Sequence, residues 1–378
     1  MSRLCIDLPP FSPDYSGAAA ALFDLGGIVV MHDASGCTGN YTGFDEPRWL
    51  GSRSAVFCSG MRRMDAVLGN DDKFIEKTVE AAKSLNPSVI AYLGSPVPMV
   101  IGTDLEGMAA ETENLCGVPS FGFNTTGQYY YDKGASDVFV TLIKRFAKKS
   151  DKPKETKSAN VLGLLPIDFG NKGNAERICS YIESFGYNVN SSFAIGLQVE
   201  QIERCGDADI SIVVSKSGLE AAKLIEKKFG VPYICAVPLH NSDIFEKKLN
   251  GTYNAKSVSG NDGGILIIHE QVFANSIREE IAEKSDISVT VAGLFGIEKS
   301  VSMEQDITLP NETAVKNEIN SGKYSVILAD PLIKKLLKRD NVKFVSLPHV
   351  AVSSKLHWDE YPDYLGQEMS DIISVCLE

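Results

Sequence analysis

No two cysteines of this chain stand as a Cys-x-x-Cys pair, although eight are scattered over its 378 residues. That absence excludes a zinc ribbon, whose metal is held by such knuckles. The scatter also argues against a disulfide framework and leaves buried, metal-bound or catalytic thiols. No GxxxxGK[ST] or GxGxxG run occurs, so the chain carries no nucleotide motif of its own. No HExxH or GxSxG occurs either, which leaves zinc-protease and serine-hydrolase readings without support. Positive charge is in deficit: 37 Lys and Arg stand against 49 Asp and Glu, a formal net charge of −12. An acidic surface repels nucleic acid and anionic membrane, so neither is expected as a partner. No run approaches the ~18 apolar residues of a membrane span. The opening MSRLCIDLPPF lacks a signal peptide's apolar core, and the expectation is a cytoplasmic protein.

What is present is a repeated grammar of strand, turn and helix. Apolar β-branched runs such as GIVVM, SVIAYLGS, NVLGLLP, DISIVVS, GGILIIH and YSVILADP recur, four of these six ending in Ser or Pro. Amphipathic stretches such as DDKFIEKTVEAAKSL and GLEAAKLIEKKFG follow them. Such alternation predicts an α/β fold of parallel sheets covered by helices. The expected modules are residues 1–150, 151–255 and 256–378, with SDKPKETKSAN as a linker and a polar stretch, NSDIFEKKLNGTYNAKSVSGND, before the third. Ligands in such folds bind beyond the carboxyl ends of the strands. Cys37, Cys58, Pro96 and Pro166 all lie just past such ends, which predicts a site between modules.

Three early cysteines stand where strands give way to loops: Cys5 in LCIDLPP, Cys37 in HDASGCTGN and Cys58 in VFCSG. Thiolates gathered from separate loops hold zinc or iron–sulfur clusters, since soft ligands suit those metals. Cys37 is the strongest candidate, because glycines on both sides, Gly36 among them, allow a bulky cofactor to approach the backbone. Cys5 carries weight only in company. Cys58 fits equally a small buried hydrophobe. Cys116, Cys179, Cys205, Cys235 and Cys376 read as packing. The FDEPRW loop reads as a contact over the site or as a salt-bridged loop. His32 reads as structural. His357, in KLHWDEY, is a ligand or proton donor only if it reaches the cleft between modules.

These stretches resemble component 1 of the nitrogenase family, which includes the nitrogenase molybdenum–iron protein subunits and the protochlorophyllide and chlorophyllide reductases. The family's pattern of a Cys near a Pro, an Ala/Gly-rich helix, a strand, then His-Gly-x-x-Gly-Cys is matched by Cys5, GAAAALFDLGGIVVM and His32 through Cys37. Asp33 stands where that pattern has glycine. VLGNDDKF and VIGTDLEGM resemble two further family segments. The resemblance implies three Rossmann-like domains, two related subunits as a homodimer or a heterodimer with a paralogue, and a separate ATP-hydrolysing iron protein that supplies low-potential electrons. It also implies an iron–sulfur cluster at the subunit interface. Cys5 and Cys37 match two of its cysteines, while the third place falls on Pro96 with Ser95 beside it. Cys58, a second subunit or a non-thiolate oxygen remain as ways to complete a cluster, and a single 4Fe–4S cluster is the favoured form. Nitrogenase proper anchors its active-site metal with a cysteine where this chain has Ala222, so dinitrogen is not the expected substrate. The expected activity is a nitrogenase-like reductase. A scaffold for metal-cofactor assembly and a metal-free Rossmann-like binding protein are the rivals.

Overall fold

The computed structural model describes residues 5–49, 54–150, 156–170, 173–256, 258 and 263–378. Much of the expected linker and the end of the polar stretch lie outside the described residues. Most of the strands are short apolar runs, β6 being polar, and they form three separate sheets that are parallel throughout. The first holds β1 (Ile28–Met31), β2 (Ala55–Cys58), β3 (Ile90–Leu93) and β4 (Ser120–Phe123) in the order β2-β1-β3-β4. The second holds β5 (Ser158–Leu164), β6 (Asn188–Ala194), β7 (Ile210–Val213) and β8 (Tyr233–Cys235) in the order β6-β5-β7-β8. The third holds β9 (Gly264–Ile268), β10 (Val289–Gly293), β11 (Ile307–Thr308), β12 (Tyr324–Ala329) and β13 (Lys343–Ser346) in the order β11-β10-β9-β12-β13. Helices cover the sheets, giving the expected α/β fold. No helix among the described residues is long and apolar enough to cross a membrane.

Burial explains the runs. β1, β3, β7 and β9 are buried at every position, as strands covered on both faces must be. One face of the first sheet packs Ile28, Val30, Ile90 and Tyr92 against Phe74, Ile75, Leu105 and Met108 of the helices Asp72–Leu85 and Leu105–Cys116. The other face joins the main core with the helices Asp14–Leu22 and Tyr131–Phe146. Those two helices cross at glycines: a Cβ on Gly17 would sit 1.8 Å from the Tyr131 carbonyl oxygen, and one on Gly134 would sit 1.9 Å from that of Asp14.

Strand order locates the sites. In each sheet the order reverses between the first strand and a neighbour: β1/β3, β5/β7 and β9/β12. A crevice opens at the carboxyl ends of such a pair.

Candidate functional site

The first crevice belongs to the cysteines. β1 delivers His32 and Asp33, and β3 delivers Ser95. Asp33 is buried and caps the turn that follows: its Oδ2 accepts the N–H groups of Ser35 and Cys37 at 2.9 Å and of Thr38 at 3.3 Å. The expected loop therefore becomes a short helix, Gly36–Asn40, running into a π-turn, Tyr41–Asp45. The far end is held by buried Asp45, which accepts from Ser12, Ser16 and Asn40. Cys37 is half-buried beside Tyr15, Asp33 and Ser95. Burial pushes its thiol pKa up, the Tyr15 hydroxyl opposes this, and the Asp33 charge adds to it. A Cβ on Gly36, Gly39 or Gly43 would meet nothing within 4 Å, so space lies open over this turn.

Ser95 is buried, with its Oγ 3.0 Å from the His32 carbonyl and 3.3 Å from Asp33 Oδ1. Pro96 begins the helix Pro96–Ile101 and packs against the loop at Gly127. Cys5 lies across that loop, in a cavity of about 350 Å³ lined also by Gly127, Tyr129, Tyr130 and Asn311. Glu312 fixes this arm by accepting the N–H groups of Ile6, Asp7 and Leu8, each at 2.9 Å. Gly127 thus touches both the Cys5 cavity and the Tyr15–Pro96 wall beside Cys37. Cys58 is placed differently. Its Sγ donates to the Asp33 carbonyl at 3.4 Å and accepts from Gly60 N–H at 3.3 Å. It lines a separate cavity of about 250 Å³ with Ile28, Val30, Phe57 and Phe74. Among the described residues no three His, Cys, Asp or Glu side chains gather as a metal-holding group. Cys5, Cys37 and Cys58 of one chain therefore form no closed ligand set.

The remaining candidates divide. The FDEPRW loop is salt-bridged: Arg48 bonds fully buried Glu46 at 2.7 Å and Asp24 at 3.0 Å. His32 is buried edge-on to Phe74. His357 bonds exposed Glu360 at 2.8 Å in a surface turn. Cys205 and Cys376 are buried, while Cys116, Cys179 and Cys235 are half-buried against core clusters.

A second constellation went unread in the sequence, where the crevices of the second and third sheets meet. Tyr131 donates to Asp168 Oδ1 at 2.5 Å. His349 Nδ1 accepts from Ala351 N–H at 3.1 Å, so its proton sits on Nε2, 3.3 Å from the same oxygen. His269 stacks edge-on against His349, and Asp330 holds the His349 turn by accepting its N–H at 2.9 Å. Glu270 accepts from Lys216 N–H at 2.7 Å. Lys216 Nζ reaches Asp132 at 2.7 Å and the carbonyl oxygens of Phe295 and Gly296 at 2.6 and 3.2 Å, so one ammonium ties segments of all three sheets. Tyr131, Tyr361, Tyr364, Phe169 and Phe295 fill the crevice. The only sequence signal was position, since Asp168, Glu270 and His349 each closely follow a strand.

Burial raises the pKa of both Asp168 and Glu270, and the Asp168 charge adds to the rise of Glu270. Burial lowers His349 to about 3 and drives His269 down as well. A raised carboxyl pKa contributes stability below the unfolded value and loses it as pH rises through the folded one. A lowered imidazole pKa contributes above the unfolded value and loses it as pH falls. The acids therefore weaken the fold toward alkaline pH and the histidines toward acid. Asp168→Asn keeps an acceptor for Tyr131 and removes the charge. Its melting temperature should gain on wild type from about pH 4 to 7 and level off above that. A pH-independent difference in scanning calorimetry would refute the assignment.

A family model described as nitrogenase component 1 type oxidoreductase matches residues 13–260. The nitrogenase iron-molybdenum cofactor biosynthesis protein NifE of Methanosarcina barkeri is 28% identical over 238 residues, 59% of this chain and 50% of that protein. A light-independent protochlorophyllide reductase subunit of Angiopteris evecta is 22% identical over 188 residues, 47% of this chain and 37% of that protein. The chain spans about half the length, or less, of the curated relatives it matches. The solved structure titled nitrogenase Cp1 at pH 6.5 superposes with a TM-score of 0.73 at 15% identity, covering 100% of this chain and 94% of that one, a likeness of fold.

Proposed function

Because the chain belongs to the nitrogenase component 1 type oxidoreductase family, we propose that it is one subunit of a nitrogenase-like two-component reductase. Two subunits, identical or paralogous, would hold one 4Fe–4S cluster between them. An ATP-hydrolysing iron protein would be the electron donor, and the substrate is one other than dinitrogen. The observation that supports this reading is that Gly127 borders the cavity holding Cys5 and also touches Tyr15 and Pro96, with Tyr15 beside Cys37. The donors fit half of a cluster: thiolates are the right ligands, space lies open over Gly36, and one chain supplies too few. Two copies supply four. Bound there, the cluster supplies one-electron chemistry.

The chain's own residues do the rest. Asp33 and Asp45 fix the two ends of the Cys37 turn, and Glu312 fixes the Cys5 arm. Apolar side chains crowd the segments leaving the same edge of the sheet. Ile6 and Val100 are 84% and 82% exposed, and Met64, Val67, Leu68, Val97, Ile101 and Tyr129 are exposed too. Such a concentration fits burial against another subunit. Ala222, in the helix Leu219–Phe229, offers no thiolate where the resembled nitrogenase pattern has one, which supports a substrate other than dinitrogen.

A second reading, a scaffold for cofactor assembly, draws support from the NifE relative. It requires the filled crevice around Tyr131 and His349 to open. Protein purified without oxygen should contain about four irons and four sulfides per dimer, with a reduced-state EPR signal. Iron-free anaerobic protein would sink both readings. ATP-dependent electron uptake from an iron protein separates the reductase from the scaffold.

A further inference from the structure

Asp33 is the point at which the segments leaving β1, β2 and β3 of the first sheet meet. Its Oδ2 takes three donors of the Cys37 turn, at 2.9, 2.9 and 3.3 Å. Its Oδ1 faces Ser95 Oγ across the β1/β3 switch point at 3.3 Å. Its main chain holds the end of β2: the N–H donates to Ser59 Oγ at 3.0 Å, and the carbonyl accepts from Met61 N–H at 2.9 Å and Cys58 Sγ at 3.4 Å. The residue is only 3% exposed. The turn it holds is strained, since Ser35 adopts φ 148°, a conformation that L residues avoid and that persists only when its surroundings enforce it. Glycine, which the resembled pattern has at this position, offers none of the side-chain bonds.

We propose that Asp33 is the positioning residue of the thiol site. Its carboxylate sets where Cys37 stands relative to Ser95, and it places a fixed negative charge beside the Cys37 thiol. The geometric half needs no metal. The electrostatic half rests on the cluster reading above, because a nearby fixed anion disfavours adding an electron to a cluster and lowers its potential.

Asp33→Gly and Asp33→Asn separate the two halves. Asparagine keeps an acceptor oxygen and loses the charge, whereas glycine loses both. In iron-free protein, hydrogen exchange in peptides covering residues 32–40 should accelerate about tenfold or more in Asp33→Gly and by less in Asp33→Asn. Peptides covering β9 report whether either variant has merely unfolded. In anaerobically loaded protein, Asp33→Asn should retain its iron while an EPR-monitored titration gives a more positive midpoint potential than wild type. A residue of purely structural importance would lose iron without moving the potential of what remains. Unchanged exchange over residues 32–40 in both variants overturns the positioning role. An unmoved potential with full iron overturns the charge. Wild-type protein that binds no iron refutes the cluster reading and the electrostatic half with it, while the exchange experiment still decides the geometric half.

Discussion

Anaerobically purified Cys37→Ala protein is expected to lose essentially all of its iron and labile sulfide. In a site built from two thiols per subunit, one substitution removes two of four ligands from a homodimer and one of four from a heterodimer, and either leaves the cluster short of a thiolate. Cys5→Ala should have the same effect, because Cys5 stands on the other side of Gly127 from the Cys37 wall, on an arm fixed by Glu312. Cys58→Ala should keep its iron. The Cys58 thiol is engaged by the Asp33 carbonyl and the Gly60 N–H and borders a different cavity. Iron and sulfide assays with EPR on the three variants decide the matter. Loss in Cys58→Ala with retention in Cys5→Ala would make Cys37 and Cys58 the ligand pair and remove the N-terminal arm from the site.

The second large effect concerns stability. Gly134→Ala should lower the melting temperature by about 4 °C. The new methyl would fall 1.9 Å from the Asp14 carbonyl oxygen and 2.6 Å from its carbonyl carbon, and both atoms are backbone that no rotamer change can move. The helices Asp14–Leu22 and Tyr131–Phe146 would have to separate, at about 3 kcal/mol by the usual cost of overpacking. Damage would spread to both sites. Asp14 anchors Thr126 and Gly127, Tyr15 stands beside Cys37, and Tyr131 bonds Asp168. Gly36→Ala, whose methyl meets nothing within 4 Å, is the matched control and should melt close to wild type. Equal melting of Gly134→Ala and wild type would show that the two helices have room to part at their crossing.

The sheets were legible because strands buried on both faces must be continuous apolar runs. β6 escaped for the opposite reason. Its sequence, NVNSSFA, is polar, and it forms an edge whose Ser191 bonds Asn160 of β5, which bonds Ser211 of β7. A buried hydrogen-bonded row across three strands leaves no hydrophobic signature. The cysteine turn was legible in place but not in shape, since the helix Gly36–Asn40 depends on the Asp33 carboxylate folding over it. The crevice around Asp168, Glu270 and His349 was legible only as a place past strand ends, not in its residues. Long stretches of chain separate its members, and nothing local marks them as neighbours. His357 drew attention through its aromatic surroundings, while His349, earlier in the chain and flanked by Pro348 and Val350, lies buried beside the Asp168 carboxylate.

Lys216 bears on how the molecule comes apart. Its single ammonium bonds a carboxylate beside the first sheet and two carbonyls beside the third, from a perch on the second. None of the three layers can swing away without freeing that ammonium and leaving its partners unpaired. Melting of one layer is thereby linked to melting of the others, and the chain should unfold as one calorimetric unit rather than as three beads on a string. A subunit docking on the rim of the first sheet would then slow exchange in strands of the third as well.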